Sequence, residues 1–86
     1  MGKIAATYRV LPEGTEVDLR ELEASMRRVL GSKLVKLEEK PVAFGLKALF
    51  ATVIFSDASG EGEAVESSLS SLPGVSSVEV QEMGLI

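Results

Sequence analysis

The first residues of the chain alternate between polar and apolar positions. Over residues 3–11, the apolar side chains on one side are Ile4, Ala6, Tyr8 and Val10. This two-residue period is typical of a strand with one buried face. A Pro-Glu-Gly sequence follows at residues 12–14, and residues of this kind form turns. The pattern therefore predicts a first strand over residues 3–11.

A helical period replaces the alternation after this turn. Asp18 stands before the first apolar residue and Glu21 follows three places later, which is typical of a capping-box helix start. The apolar stripe at helical spacing consists of Leu19, Leu22, Met26, Val29 and Leu30. Two arginines in the last turn interact favourably with the helix dipole, and Gly31 is a residue that typically ends a helix. A helix is predicted over residues 19–30.

The next two apolar segments differ in how deeply they are expected to be buried. Residues 33–42 mix apolar and charged positions, and their lysines and Pro41 are residues that discourage pairing at a sheet edge. Gly45 then marks a bend or hairpin. Residues 46–55 are apolar at nearly every position, as in a strand buried on both faces. The first segment is therefore predicted to be an edge strand and the second a central strand.

The last third of the chain predicts a loop, a short helix and a strand. Residues 57–62 are small and polar, and residues 63–72 place Val65, Leu69 and Leu72 at helical spacing. Four serines lower the helix propensity of this segment, and a Pro-Gly pair at residues 73–74 ends it. Residues 75–81, which contain three valines, predict the last strand.

The predicted element order is β-α-β-β-α-β, in one domain spanning residues 1–86. Right-handed crossovers then lead to an α+β, ferredoxin-like sandwich, with a four-stranded antiparallel sheet and two helices on one face. This fold hosts many unrelated functions, so it does not decide the function of the chain.

Charge is distributed unevenly along the chain. All nine Lys and Arg lie within residues 1–47 beside seven acids, whereas residues 48–86 carry six acids and no base. Nucleic-acid binding requires clustered cations that neutralise phosphates, so no direct nucleic-acid partner is expected. The acidic second half leaves two interpretations open: a surface for a basic protein partner, or an ordinary solvated face.

The composition excludes several kinds of chemistry. The chain has no Cys and no His, which removes zinc-thiolate sites, thiol nucleophiles and histidine bases. The acidic pairs Glu38–Glu39 and Glu61/Glu63 are interpreted as solvated side chains, so neither a metal nor a cofactor is predicted. The longest apolar stretch, around residues 48–55, is far shorter than the roughly 20 residues that span a membrane. Without a signal-peptide pattern, a cytoplasmic location away from membranes is expected.

Other functions known for this fold require residues that this chain lacks or places elsewhere. An RNA-recognition module stacks bases on aromatic residues of the open sheet face, but Phe50 and Phe55 are expected on opposite faces and at least one of them in the core. An acylphosphatase-like enzyme needs an Asn, and the chain has none. The alternative that stays open is a small-molecule-binding regulatory domain of ferredoxin-like fold, dimeric through its sheet. An enzyme that uses carboxylates is a weaker alternative.

A more specific pattern spans the middle of the chain. Gly-Ser-Lys-Leu-Val at residues 31–35 and Pro-Val-Ala-Phe-Gly-Leu-Lys-Ala-Leu at residues 41–49 resemble the second and third strands of the elongation factor 1-beta family. The opening residues 2–12 are similar to the start of archaeal members. The resemblance implies a guanine nucleotide exchange factor that promotes GDP release from elongation factor 1-alpha so that GTP can rebind. Such a factor acts by protein–protein binding and is not an enzyme.

The resemblance also implies a partner-binding site in the motif. Phe44 matches the aromatic residue that family members press against the nucleotide-binding domain of the GTPase, although an ordinary core position stays open. Gly45 is expected to permit a backbone geometry, or a close approach, that a Cβ would block. Lys47 matches a basic position of the motif, and a surface lysine without a role is the alternative.

The C-terminal tail departs from the family pattern. Eukaryotic members carry a penultimate lysine that reaches the magnesium site of the GTPase, and Leu85 stands at that position here. The hypothesis is that Met83, Leu85 and Ile86 contact the partner by steric distortion instead of replacing magnesium. The alternative is that these residues cover the sheet edge. A homodimer is compatible with this interpretation but not required by it.

Overall fold

The computed structural model of the chain describes residues 2–56 and 60–86, apart from the side chain of Phe44. Residues 57–59 of the predicted polar loop lie outside the described residues. The elements are β1 (Lys3–Pro12), α1 (Leu19–Leu30), β2 (Leu34–Pro41), β3 (Lys47–Ser56), α2 (Glu61–Ser70) and β4 (Val75–Leu85), with single 3-10 turns at Gly31–Lys33 and Ala43–Gly45. The β-α-β-β-α-β order predicted from the sequence is confirmed.

The four strands form one antiparallel sheet in the order β2-β3-β1-β4. The apolar strand β3 is central and the lysine-bearing strand β2 is an edge, as predicted. The second edge is β4, which pairs with β1 alone. The ferredoxin-like α+β architecture is therefore confirmed.

The core lies between the two helices and one face of the sheet. One cluster of buried residues joins alternate positions of β1 and β3 to the apolar stripes of both helices. Its largest fully buried side chains are Tyr8, Met26, Leu49, Leu69, Val10 and Val53. The apolar residues that recur at every second position of the strands and those that recur at helical spacing in α1 therefore pack into the same core layer.

Local chemistry sets both ends of α1. The carboxylate of Asp18 accepts hydrogen bonds from the backbone N–H groups of Arg20, at 3.0 Å, and Glu21, at 3.4 Å. These bonds satisfy two of the N–H groups that a helix start leaves free. At the other end, Gly31 adopts a φ of 55° and its N–H donates to the carbonyl oxygen of Arg27. The predicted helix bounds are confirmed.

Three details of the prediction were wrong. The outer face of β3 is not buried like its inner face, because no helix covers that side of the sheet and its residues are only half-buried: Phe50, Thr52 and Ile54. Helix α2 begins at Glu61 instead of residue 63. Strand β4 continues to Leu85 instead of ending at residue 81. It continues because its last residues pair with the first half of β1.

Candidate partner-binding sites

Gly45 lies in the 3-10 turn that joins β2 to β3. Two backbone hydrogen bonds close this hairpin, from Val42 N–H to Leu46 O at 2.8 Å and from Leu46 N–H to Ala43 O at 3.2 Å. Gly45 has a φ of 76°, and a Cβ placed on it would meet no atom within 4 Å. The glycine is therefore required by backbone conformation and not by close approach of another group.

Phe44 occupies the same turn, one residue before Gly45. Its side chain lies outside the described part of the structure. The backbone places the residue at the hairpin tip, between an edge strand and a central strand. The choice between a core position and an interface position for this ring stays a prediction.

Lys47 is the first residue of β3 and is exposed. Its Nζ lies 3.4 Å from Oε1 of Glu39 on β2, and about half of the lysine side chain is accessible. Exposed ion pairs of this kind contribute little to stability, because water already solvates both charges. Lys47 can therefore exchange Glu39 for an acidic group of a partner at little cost.

An apolar groove of about 270 Å³ lies beside this hairpin on the open face of the sheet. Its walls are Arg9, Leu11, Val42, Ala43 and Leu46. No local pattern singles out Leu11, because its position relative to the hairpin depends on β1 lying next to β3. Val42 and Leu46 flank the Ala-Phe-Gly sequence of the motif. This position is the sequence signal that could have identified them as groove residues.

The predicted residues of the C-terminal tail lie at the end of β4. Met83 is 53% exposed, and Leu85 and Ile86 are each 72% exposed. Met83 is paired with Ala6, and Leu85 with Ile4. The tail is thus the end of the edge strand itself, and its apolar side chains are accessible to a partner.

The two groups of predicted residues lie at opposite ends of the sheet. Strand β3 begins beside the hairpin tip at Lys47 and ends at Ser56, which pairs with Lys3. Leu85 pairs with Ile4 at this same distant end. Nine residues of extended chain span about 30 Å. The structure therefore does not bring the hairpin and the tail together, and a partner that contacts both must extend along the sheet.

The open face between the two ends is mainly polar. Arg9 forms an ion pair with Glu79, and the hydroxyl groups of Thr7 and Thr52 are hydrogen-bonded at 3.0 Å. Lys40 places its Nζ 5.1 Å from the ring centroid of Phe50, a cation–π distance.

Phe50 and Phe55 lie on opposite faces of β3, as predicted from their odd spacing. Phe50 is half-buried on the open face, whereas Phe55 is only 4% exposed and belongs to the core cluster. A second aromatic core residue is Tyr8. The described aromatic residues thus do not form the row of stacking platforms that RNA-recognition modules use.

Tyr8 carries a buried hydroxyl group beneath the helices. The residue is 1% exposed, and within residues 2–56 and 60–86 its hydroxyl has no hydrogen-bond partner. Burial, and secondarily the negative charge of Glu66 on α2, raise the pKa of Tyr8 above its ordinary value of 10.0.

The described parts of the chain contain no group of three or more acidic, His or Cys side chains that could hold a metal ion. They also contain no helix that is long and apolar enough to cross a membrane.

Comparison with known proteins gives one consistent result. Residues 5–86 match the family model of the EF-1 guanine nucleotide exchange domain. The chain is similar to elongation factor 1-beta of Natronomonas pharaonis, at 46% identity over the whole of both chains. It is 44% identical to the proteins of the same name from Methanococcoides burtonii, over 98% of this chain and 97% of that one, and Methanothermobacter thermautotrophicus, over 96% of each.

Proposed function

The chain belongs to the EF-1 guanine nucleotide exchange domain family, and from this premise we propose that it promotes release of GDP from elongation factor 1-alpha so that GTP can rebind during translation elongation. The observation that carries the proposal is the match over residues 5–86, which includes nearly all of the described sheet and both helices. The proposed factor acts by protein–protein binding and makes or breaks no covalent bond.

An exchange factor works by differential affinity. It must bind the nucleotide-free GTPase more tightly than the GDP-bound form, because only this difference shifts the equilibrium toward release. Contacts at two distant places favour this difference in affinity. A rigid factor that fits both contact sites in one conformation of the GTPase fits them less well in another conformation. The sheet supplies such a rigid body, with exposed residues at both ends.

At the hairpin end, the proposed contacts are Phe44, Gly45 and Lys47. The positive φ of Gly45 fixes the turn that carries Phe44. An aromatic residue on a fixed turn contributes a large contact area and loses little conformational entropy on binding, which is the profile of an interface hot spot. Lys47 adds an exposed positive charge beside it.

At the tail end, the proposed contacts are Met83, Leu85 and Ile86. Leu85 carries no charge, so this side chain does not itself compete with a magnesium ion. We propose that these apolar side chains act by steric contact with the GTPase. Their exposure, from 53% to 72%, supports this proposal because the side chains are available without rearrangement of the sheet.

The test is release of a fluorescent GDP analogue from elongation factor 1-alpha of the same source, with and without this protein. Catalytic, dose-dependent acceleration is expected. Phe44→Ala is expected to lower kcat/KM on the order of 10- to 30-fold, the size of a hot-spot loss, whereas Phe44→Tyr retains most of the activity. Absence of acceleration by folded protein with active GTPase would refute the proposal.

The contribution of the tail needs a point substitution instead of a deletion. Deleting residues 83–86 would remove pairs of β4 with β1 and confuse folding with binding. Leu85→Ala removes an exposed side chain alone, and Val35→Ala is its matched control, because Val35 is 55% exposed on the opposite edge strand. Slower exchange is expected for Leu85→Ala only, and equal rates for both variants would remove Leu85 from the site.

A further inference from the structure

The two edges of the sheet are protected very differently against pairing with another strand. Edge strand β2 carries Lys36, Lys40 and Pro41, which are residues that oppose the addition of a further strand. Edge strand β4 spans eleven residues without a Lys, an Arg or a Pro. The lysines and the proline of one edge are thus missing from the other, which instead carries two glutamates and a register shift at Gln81.

Strand β4 also exposes apolar side chains. Val80, Met83 and Leu85 are between 48% and 72% exposed. Val80 pairs with Tyr8 and Met83 with Ala6, and both partners are buried beneath the helices. Since paired residues point to the same side of a sheet, these apolar side chains lie on the helix-bearing side of β4.

Met83 and Leu85 direct their backbone groups out of the sheet. The N–H of Ile86 donates to the carbonyl oxygen of Lys3 on β1, at 2.9 Å. In an antiparallel ladder, consecutive residues direct their N–H and C=O groups alternately to opposite sides. The backbone groups of Leu85 and Met83 therefore face away from β1, where a fifth strand would pair.

Acidic groups flank this edge on both sides of the sheet. Helix α2 turns Ala64 and Ser68 toward α1, with which they line one cleft, so Glu63 and Glu66 lie on the side away from α1. Glu66 is near enough to the Tyr8 hydroxyl to affect its ionisation. On the open side, Glu82 is paired with Thr7. No Lys or Arg occurs anywhere in residues 48–86.

We propose that residues Val80–Leu85 of β4 form a docking edge for an extended protein segment rich in Lys and Arg, which pairs with β4 as a fifth strand. Backbone hydrogen bonds provide the pairing, as in other cases of strand addition. Alternate apolar side chains of the segment pack on Val80 and Met83. Basic side chains reach Glu63 and Glu66 on one side of the sheet and Glu82 on the other.

Charge complementarity selects this occupant over a second copy of the chain. Two β4 strands paired about Glu82 would place this acid of both copies side by side, whereas Glu79 is already paired with Arg9, and like charges on neighbouring strands are destabilising. A basic segment reverses the sign of this interaction. The inference goes beyond the exchange function, although Met83 and Leu85 also belong to the proposed GTPase contact. Its test therefore uses a peptide without the GTPase.

The probe is a fluorescent nine-residue peptide with Val at its third and fifth positions and Lys at all the others, so that Lys side chains project from both faces of the strand, and the control peptide has Glu in place of Lys. Binding measured by fluorescence anisotropy is expected for the Lys peptide only and is expected to weaken as salt is added. In NMR hydrogen exchange, the amides of Met83 and Leu85 are expected to gain protection when the Lys peptide is bound. Equal binding of both peptides, or changes centred on β2, would overturn the proposal.

Two sets of protein variants separate the backbone contribution from the charge contribution. Met83→Pro removes an N–H that faces out of the sheet and is expected to abolish binding, whereas Met83→Val retains it. The double variant Glu63→Gln/Glu66→Gln is expected to weaken binding about fivefold, in line with the loss of two exposed ion pairs. Unchanged affinity in the double variant would refute the role of the acids.

Variants of the peptide provide a test that does not depend on folding of the Met83→Pro protein. N-methylation of the alternate amides along one edge of the peptide removes the groups that pair with β4, and methylation of the other alternate amides leaves them intact. Only the first change is expected to abolish binding. Equal loss with both peptides, or self-association of the protein through β4, would contradict a docking edge for a basic segment.

Discussion

The backbone N–H of Ile86 donates a hydrogen bond to the carbonyl oxygen of Lys3, with the two atoms 2.9 Å apart. This bond joins the end of the described chain to the first residue of β1. Residues 83–85 therefore belong to the ladder and are more than an exposed appendage. The side chains at the tail are available for binding while its backbone contributes to folding.

Removal of the tail is consequently expected to destabilise the protein. Deleting residues 83–86 removes three paired positions of β4 together with the Ile86–Lys3 bond. We expect the free energy of unfolding to fall by about 2 kcal/mol, since each hydrogen bond contributes roughly 1 kcal/mol net. Urea denaturation measures the change. Leu85→Ala, which leaves the backbone intact, is the control, and an equally large loss in that variant would contradict this account.

Replacing the buried tyrosine is expected to stabilise the protein. The hydroxyl of Tyr8 is buried and lacks a partner among the described residues. The hydrogen bonds to water that it loses on folding are therefore not replaced by a bond within the described protein. Tyr8→Phe is expected to raise the free energy of unfolding by about 1 kcal/mol. Thermal and urea denaturation at pH 7 measure the difference, and a clear loss of stability would show that the hydroxyl is satisfied.

The raised pKa of Tyr8 predicts the direction of a pH dependence. Above pH 10.0 the unfolded chain loses the phenol proton while the folded chain keeps it, so folding becomes less favourable as the pH rises. The wild type is therefore expected to lose stability relative to Tyr8→Phe between about pH 10 and 12. Tyr8 is the only tyrosine, so its absorbance reports the titration directly. Ionisation at an ordinary pKa in the folded protein would contradict the prediction.

The N-terminal cap of α1 predicts a local loss of stability. Asp18→Ala removes the acceptor for the N–H groups of Arg20 and Glu21. We expect the free energy of unfolding to fall by about 1 kcal/mol, whereas Asp18→Asn, which keeps a capping oxygen, is expected to cost much less. Urea denaturation of the three proteins measures the effect. Equal losses in both variants would indicate that charge, and not capping, is responsible.

Two neighbouring glycines are expected to respond to alanine with opposite signs. Gly60 has a φ of 83°, which strains any residue with a Cβ, whereas Gly62 lies within α2 and a Cβ there would meet the Phe55 ring at an ordinary 3.4 Å. Gly60→Ala is expected to destabilise by about 1 kcal/mol and Gly62→Ala to stabilise by about 0.5–1 kcal/mol. Thermal denaturation measures both, and changes of the same sign would refute the assignment.

Helix α1 shows what local sequence signals are able to fix. Asp18 and Gly31 act on backbone groups within a few residues of themselves, so the bounds of this helix follow from the sequence alone. The place of β3 in the middle of the sheet and of β2 at its edge also followed, because burial requires apolar residues and an edge tolerates lysine and proline.

The start of α2 and the end of β4 depended on distant contacts. Two glycines at residues 60 and 62 indicated a loop, yet Gly62 belongs to the helix and faces the ring of Phe55. The extra residue Gln81, where the register of β4 shifts, interrupts the alternation that would have predicted a longer strand. Pairing with β1 carries the strand past this bulge.

The sequence by itself determined the element order and both ends of α1, because each depends on neighbouring residues, and it singled out the residues around Gly45 that we propose for partner binding. Only the tertiary structure decided that the hairpin tip and the tail lie at opposite ends of the sheet. It also decided that β4 lies at an edge of the sheet. Both results depend on which strands become neighbours, and that choice minimises the free energy of the whole core instead of any single segment.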